Sequence, residues 1–144
     1  EPAYFKHITE AATHLMEASG TTAKDYKWAV FHQPNTKFPQ RVASQLGFSM
    51  DSIEPGLLVP VIGNTYAGAA MIGLTATLDI AQPGDRILVV SFGSGAGSDA
   101  FDITVTDAAP LRAGLATKTQ DYVKRRSEID YATYVRFRGK LAMK

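Results

Sequence analysis

The chain has 144 residues, 45% of them apolar and 20% charged, a composition that suits one globular domain with a core of its own. Its formal net charge of +1 gives no overall field for nucleic acid. With no signal peptide and no apolar run long enough to span a bilayer, a soluble, cytoplasmic protein is expected. The absence of cysteine excludes disulfides, thiolate metal sites and a cysteine nucleophile within the chain, and His7, His14 and His32 lack the HxxxH spacing of a zinc site.

Pro2 suits a first helical turn, and Phe5, Ile8, Ala12, Leu15 and Met16 recur at three- and four-residue intervals, so the chain opens with a helix that stops at Gly20. Thr22 and Asp25 have the spacing of a short capping box. The run 27–31 (KWAVF) predicts a buried strand that delivers His32, Gln33, Pro34 and Asn35, with Pro34 unable to continue a ladder. A helix over 36–46 follows, closed by Gly47, and Pro55, Gly56 and Pro60 mark 48–61 as a loop. Gly63, Asn64 and Thr65 then open a helix reaching residue 81, with Thr65 as its N-cap. The small residues Ala67, Gly68, Ala69, Ala70 and Gly73 predict close approach to another element, because a helical glycine costs about 1 kcal/mol against alanine.

Residues 82–85 form a turn, 86–92 (RILVVSF) a central strand, 93–97 (GSGAG) a tight connection, and 100–106 the returning strand of a hairpin-like pair. From Asp107 the chain turns polar, with Lys124, Arg125, Arg126, Arg136, Arg138, Lys140 and Lys144 set among Tyr122, Tyr131 and Tyr134. One helix near 116–127 and an irregular or extended tail are expected there. Alternating strands and helices define an α/β protein, with residues 1–107 as one unit and 108–144 as an extension.

Three glycine-flanked turns carry the residues with chemical potential. His32 leaves a buried strand, where an imidazole is held rigidly and can act as acid, base or donor; a strand-end histidine capping a carbonyl explains it equally well. Asn64 precedes a helix N-terminus, where its amide and the free N–H groups can polarise a carbonyl, or it is a turn asparagine. The run at Gly93, Ser94 and Gly95 lacks the Lys-Ser/Thr ending of a P-loop and the helix context of a dinucleotide site, and reads as backbone turning beside a ligand. His7 and His14 read as surface or core-edge residues, and solvation accounts for Asp99 and Asp102. Asp121, Glu128 and Asp130 dilute the basic tail, which suits a solvated face, a protein contact or cofactor phosphates better than RNA.

Taken in order, Phe-His-Gln-Pro-Asn (31–35), Ile-Gly-Asn-Thr (62–65) and Ser-Phe-Gly-Ser-Gly-Ala-Gly (91–97) resemble the C-terminal half of the condensing enzymes of the thiolase superfamily, over roughly residues 1–107. Two branches fit. The initiating ketoacyl-ACP synthases share a similar His-Gln-x-Asn and Gly-Asn-Thr-Ser pattern but no long extension after the last strand. The hydroxymethylglutaryl-CoA synthases have a lysine five residues after the histidine, here Lys37. The opening EPAYFKHI and the tail YATYVRFRGK look like the archaeal-type members of that second branch.

The resemblance implies half of a thiolase fold, with a mixed five-stranded sheet, helices on both faces and a basic C-terminal extension. It implies condensation of acetyl-CoA with acetoacetyl-CoA for the mevalonate pathway, with coenzyme A thioesters as substrates, no permanently bound cofactor and no metal. His32 would donate to the ketone of acetoacetyl-CoA and Asn64 would orient its thioester. Gly63, Gly93, Ser94 and Gly95 would line the pocket, and Lys37 would meet the coenzyme A phosphates or pantetheine. The nucleophilic cysteine and a proton-abstracting glutamate would come from an N-terminal half that this chain lacks, so alone it is expected to be inactive, either a fragment or one subunit of a split enzyme. The implied partners are that half, further copies in a homo-oligomer, and thiolase with a small OB-fold scaffold protein, without nucleic acid or membrane. The alternatives are a ketoacyl-ACP synthase half that uses malonyl-ACP, and a non-catalytic thiolase-like binding module.

Overall fold

The computed structural model describes residues 2–93 and 97–140. Helix α1 (Pro2–Ser19) leads through a 3₁₀ turn (Ala23–Asp25) into strand β1 (Trp28–Phe31) and helix α2 (Lys37–Leu46). Short helices α3 (Met50–Ile53) and α4 (Val59–Ile62) follow, separated by a 3₁₀ turn (Glu54–Gly56). A further 3₁₀ turn (Tyr66–Gly68) opens onto α5 (Ala69–Leu78), and strands β2 (Arg86–Val90) and β3 (Ala100–Thr104) complete the sheet. The chain then forms α6 (Ala109–Arg112), α7 (Thr119–Lys124) and α8 (Tyr131–Phe137).

The sheet runs β1-β2-β3, with β1 parallel to β2 and β2 antiparallel to β3, so it is mixed. Alternation along the strands sends Ala29, Phe31, Leu88 and Val90 into one core, against Ile8 and Ala12 of α1 and Val42 and Ala43 of α2. Val30, Ile87 and Val89 point the other way, into a second core with Ala70 of α5. Both faces are therefore covered by helices, the arrangement expected when parallel strands are joined by helical crossovers.

Among the described residues the sheet has three strands where five were expected. The chain supplies no other β-branched run: Pro55, Gly56 and Pro60 break 48–61, which folds into isolated helical turns rather than an irregular loop. Ser49 caps the first of these turns, accepting from the Ser52 N–H at 3.2 Å. The tail departs from expectation too. Its helix near 116–127 shortens to α7, and the segment read as irregular or extended forms α8, whose start Asp130 caps by accepting from the Thr133 N–H at 2.8 Å. The extension is also anchored: Asp79, at the end of α5, accepts the Thr119 N–H at 2.6 Å.

Two polar ties brace the sheet at the end away from the strand exits. Arg86 and Asp102 form a bidentate pair across β2 and β3, at 2.7 and 2.5 Å, and Tyr26 donates to the same carboxylate at 3.1 Å. Solvation alone therefore does not account for Asp102. The hydrogen bonds from Arg86 hold its carboxyl below the usual carboxylate range, aided by Tyr26 and opposed by partial burial. A depressed folded value stabilises the protein above the unfolded pKa of about 3.9 and ceases to do so as pH falls through the folded value. Asp102→Asn should flatten that acid limb in a denaturation series run from neutral pH downwards.

The tightest packing lies between α5 and the 54–56 turn. A Cβ at Gly73 would sit 2.8 Å from both the Gly56 carbonyl oxygen and Val30 Cγ1, and no L side chain fits there without displacing backbone. Gly73→Ala should lower the unfolding free energy by about 1–3 kcal/mol, visible as a lower urea midpoint at unchanged m-value.

Candidate active site

Because β1 and β2 are parallel, their C-terminal ends share one edge of the sheet, where functional groups of α/β proteins gather. His32 extends the pairing one residue past β1, its N–H donating to the Val90 carbonyl at 2.9 Å. Its own carbonyl accepts the Tyr4 hydroxyl at 2.5 Å. The imidazole lies 5.9 Å from the Phe92 ring and 6.2 Å from the Tyr4 ring, centroid to centroid. Only 8% of the residue is exposed, and this desolvation lowers its pKa below the ordinary histidine value, favouring the neutral ring. Among the described residues no hydrogen bond engages the imidazole, so its nitrogens are available to a ligand.

Gln33, given no role by the sequence, proves to be the most connected side chain of this edge. Its Oε1 accepts the N–H groups of Leu58 and Val59 at 2.7 and 2.8 Å. Its Nε2 donates to the carbonyls of Gly56 at 2.7 Å and Ala69 at 3.3 Å. One buried carboxamide thus ties the exit of β1 to the start of α4 and to the first turn of α5. A signal was present in the form of a polar residue directly following an apolar strand, but its partners lie more than twenty residues away in sequence.

Asn64 stands at an exposed turn after Gly63, whose φ of 75° favours glycine. Its Oδ1 accepts the Tyr66 N–H at 2.7 Å, and Thr65 makes no cap; α5 begins four residues later than expected. The cause is local: Tyr66 adopts φ 52°, which interrupts the helix and lets the asparagine close the turn. Such a conformation is costly for a bulky residue, and strain of this kind concentrates at functional sites. Tyr66 is 76% exposed beside Asn64 and was not anticipated.

Asn35 turns back to accept the Phe38 N–H at 3.0 Å, and Lys37 is exposed as the first residue of α2. In the third motif Gly93 pairs with Gly97, N–H to carbonyl, at 2.9 Å, and the Ser98 hydroxyl donates to the Ser91 carbonyl. Ser94 and Gly95 lie outside the described residues. The first and third motifs therefore meet directly, His32 on Phe92. Gln33 bonds the Ala69 carbonyl, four residues beyond the second motif, while the bond of Asn64 is to its own turn. No metal-binding group of three or more His, Cys, Asp or Glu occurs among the described residues, and no helix among them is long and apolar enough to cross a membrane.

A mixed sheet covered by helices on both faces, with a desolvated histidine at the shared strand end, is the architecture of a thiolase-like condensing domain. Residues 16–103 match the family described as the C terminal of 3-oxoacyl-[acyl-carrier-protein (ACP)] synthase III, and the chain belongs to that family. It is 56% identical over 141 residues to a hydroxymethylglutaryl-CoA synthase of Methanocella arvoryzae, covering 98% of this chain and 41% of the relative. It is 59% identical over 143 residues to the enzyme of that name from Thermococcus onnurineus, covering 99% and 41%. The chain thus spans about two-fifths of the length of these curated relatives. Among solved structures, a HMG-CoA synthase from Bacillus subtilis superposes with a TM-score of 0.77 at 17% identity, over 95% of this chain and 39% of that one. A 3-oxoacyl-(acyl carrier protein) synthase III from Pseudomonas aeruginosa gives 0.64 at 21% identity, over 72% and 33%. The fold is thiolase-like.

The Gln33 network allows a direct check. Gln33→Ala leaves the Val59 N–H without its partner and the Leu58 N–H and Gly56 carbonyl with only their mutual 3.2 Å bond, and should destabilise the protein by about 2 kcal/mol. Amide hydrogen exchange at 58 and 59 should rise more than at the central strand β2.

Proposed function

We propose that this chain is the C-terminal part of a hydroxymethylglutaryl-CoA synthase and contributes the second-substrate side of its active site. The observation that carries this reading is His32, buried, neutral in tendency and unbonded at its ring among the described residues, held at the shared strand edge against the third motif. The high identity to synthases of that name over nearly the whole chain supports the choice of reaction.

In the proposed reaction a cysteine from the remaining part of the enzyme carries an acetyl group taken from acetyl-CoA. A glutamate from the same part removes a methyl proton, and the resulting carbon nucleophile attacks the ketone of acetoacetyl-CoA, forming the new C–C bond as the ketone oxygen becomes an alkoxide. The His32 imidazole donates a hydrogen bond to that oxygen. A neutral ring has one N–H to give, and its desolvated position makes that bond stronger than it would be in water. Asn64, through the amide nitrogen that its turn leaves unused among the described residues, orients the acetoacetyl thioester together with the backbone of Gly63 and Gly93. Lys37, exposed at the start of α2, meets the phosphates or pantetheine of coenzyme A.

Helix α5 supports the need for the remaining part. Met71 and Leu78 are 61% and 45% exposed on a helix whose only polar residues are Thr75 and Thr77, a surface suited to further chain of the same enzyme. We place the boundary between this half and its extension at residue 107, just beyond β3, with the extension resting on α5 through Thr119.

The second reading, a synthase that takes malonyl-ACP, is favoured by the family match. Assay of the complete enzyme separates the two: loss of acetoacetyl-CoA in the presence of acetyl-CoA supports the first, and turnover only with malonyl-ACP supports the second. Within the first, His32→Ala should leave cysteine acetylation intact and lower condensation by about 10²–10³-fold, and unchanged turnover would remove the assignment.

A further inference from the structure

We infer that Tyr4 of helix α1 is the positioning residue of His32, setting the histidine's seat through the backbone and through its ring; this rests on the proposed role of His32. The last pair of the β1–β2 register is Phe31 with Val90, so the His32 carbonyl lies beyond the ladder and depends on a side chain for a donor. Tyr4, twenty-eight residues earlier, supplies it at 2.5 Å from a position only 4% exposed. The same aromatic ring stands 6.2 Å from the imidazole and 5.6 Å from the Phe92 ring, which is itself 5.9 Å from the imidazole, so the three rings form a triangle. Phe38, at the start of α2, and Phe5 close the cluster at 5.0 and 5.2 Å from the Tyr4 ring. The tyrosine thereby touches both ends of one residue: the carbonyl, which orients the peptide leading to Gln33, and the ring, beside which it packs together with Phe92.

The Tyr4 ring alone would fill its place in the cluster with Ile8 and Val90, and the hydroxyl adds the donor that the His32 carbonyl needs. The hydroxyl makes its bond at the residue that faces the reacting ketone. Burial raises its pKa above the ordinary phenol value, so it stays a protonated donor through the working range. Small displacements of a group that meets a transition state are expensive, with about a hundredfold loss for about 1 Å, so the hydroxyl should be felt in the condensation step, where His32 meets the alkoxide, far more than in acetylation of the cysteine.

The test uses the complete enzyme and its Tyr4→Phe variant, with acetylation of the cysteine by radiolabelled acetyl-CoA measured apart from steady-state condensation. Acetylation should stay within about twofold of the parent while kcat for condensation falls by about tenfold to a hundredfold, with a smaller change in KM for acetoacetyl-CoA. Replacing Tyr4 with 4-aminophenylalanine, which keeps a donor at the ring's end, should restore most of the loss. Unchanged condensation, an equal fall in both steps, or no recovery with the amino analogue would each overturn the inference. The nitrogen NMR signals of the His32 ring, assigned by their loss in His32→Ala, give a readout independent of turnover. They should shift or broaden in Tyr4→Phe, and an unchanged spectrum overturns the positioning role. If His32→Ala itself condenses at the parent rate, the reading of the site has failed; the ring signals then still decide whether Tyr4 holds the histidine.

Discussion

The Gln33 carboxamide is the interaction on which the rest of the site depends. Two N–H groups converge on its oxygen and two carbonyls on its nitrogen, all four from backbone outside the sheet. Buried polar groups left without partners are costly, so the 54–59 segment and the start of α5 can fold against β1 only with this side chain between them. The absent Cβ of Gly73 completes the arrangement, since Gln33 Nε2, the Gly56 carbonyl and Val30 all crowd the space a side chain would take. A polar knot and a steric gap thus specify the same contact, and together they bring the start of α5 and the 54–59 segment to the strand from which His32 emerges.

Around that knot the edge divides its tasks between neighbouring residues. His32 keeps its ring nitrogens free of hydrogen bonds among the described residues while its backbone is held on both sides, by Val90 and by Tyr4. Gln33, next in the chain, turns its side chain entirely inward. Asn35 and Asn64 each close a local turn with the carboxamide oxygen. An imidazole that is desolvated but mechanically fixed suits the stabilisation of a charge that develops during reaction, because the site need not reorganise when the charge appears. The far end of the sheet, braced by Arg86, Asp102 and Tyr26, carries stability away from the chemistry.

Much of this was legible before any coordinates. The apolar spacing of α1, the β-branched runs of β1 and β2 and the hairpin to β3 are local patterns, and they fell where the residues placed them. So did Gly47 at the end of α2, where φ reaches 86°. The close approach expected from the small residues of α5 was realised at Gly73. Less was legible where two local preferences compete. Thr65 and Asn64 are both good cap or turn residues, and the positive φ of Tyr66, which decided between them, leaves no trace in composition. The helix α8 was missed because its charged and aromatic residues lack a clean stripe; its formation follows from the Asp130 cap and the burial of Val135.

By itself, the sequence determined the element types of α1, β1, α2, β2 and β3 and the three motifs that could form a site, since each of these follows from spacing within a few residues. It also excluded a cysteine from the chain's own chemistry. Only the tertiary structure decided that Gln33 ties 56–59 and Ala69 to the exit of β1, that Asp102 is an ion-pair partner, and that Tyr4 holds the His32 carbonyl. Those bonds join residues from sixteen to thirty-six positions apart, and hydrogen-bonding partners at such separations are chosen by how the layers pack, which no local pattern encodes.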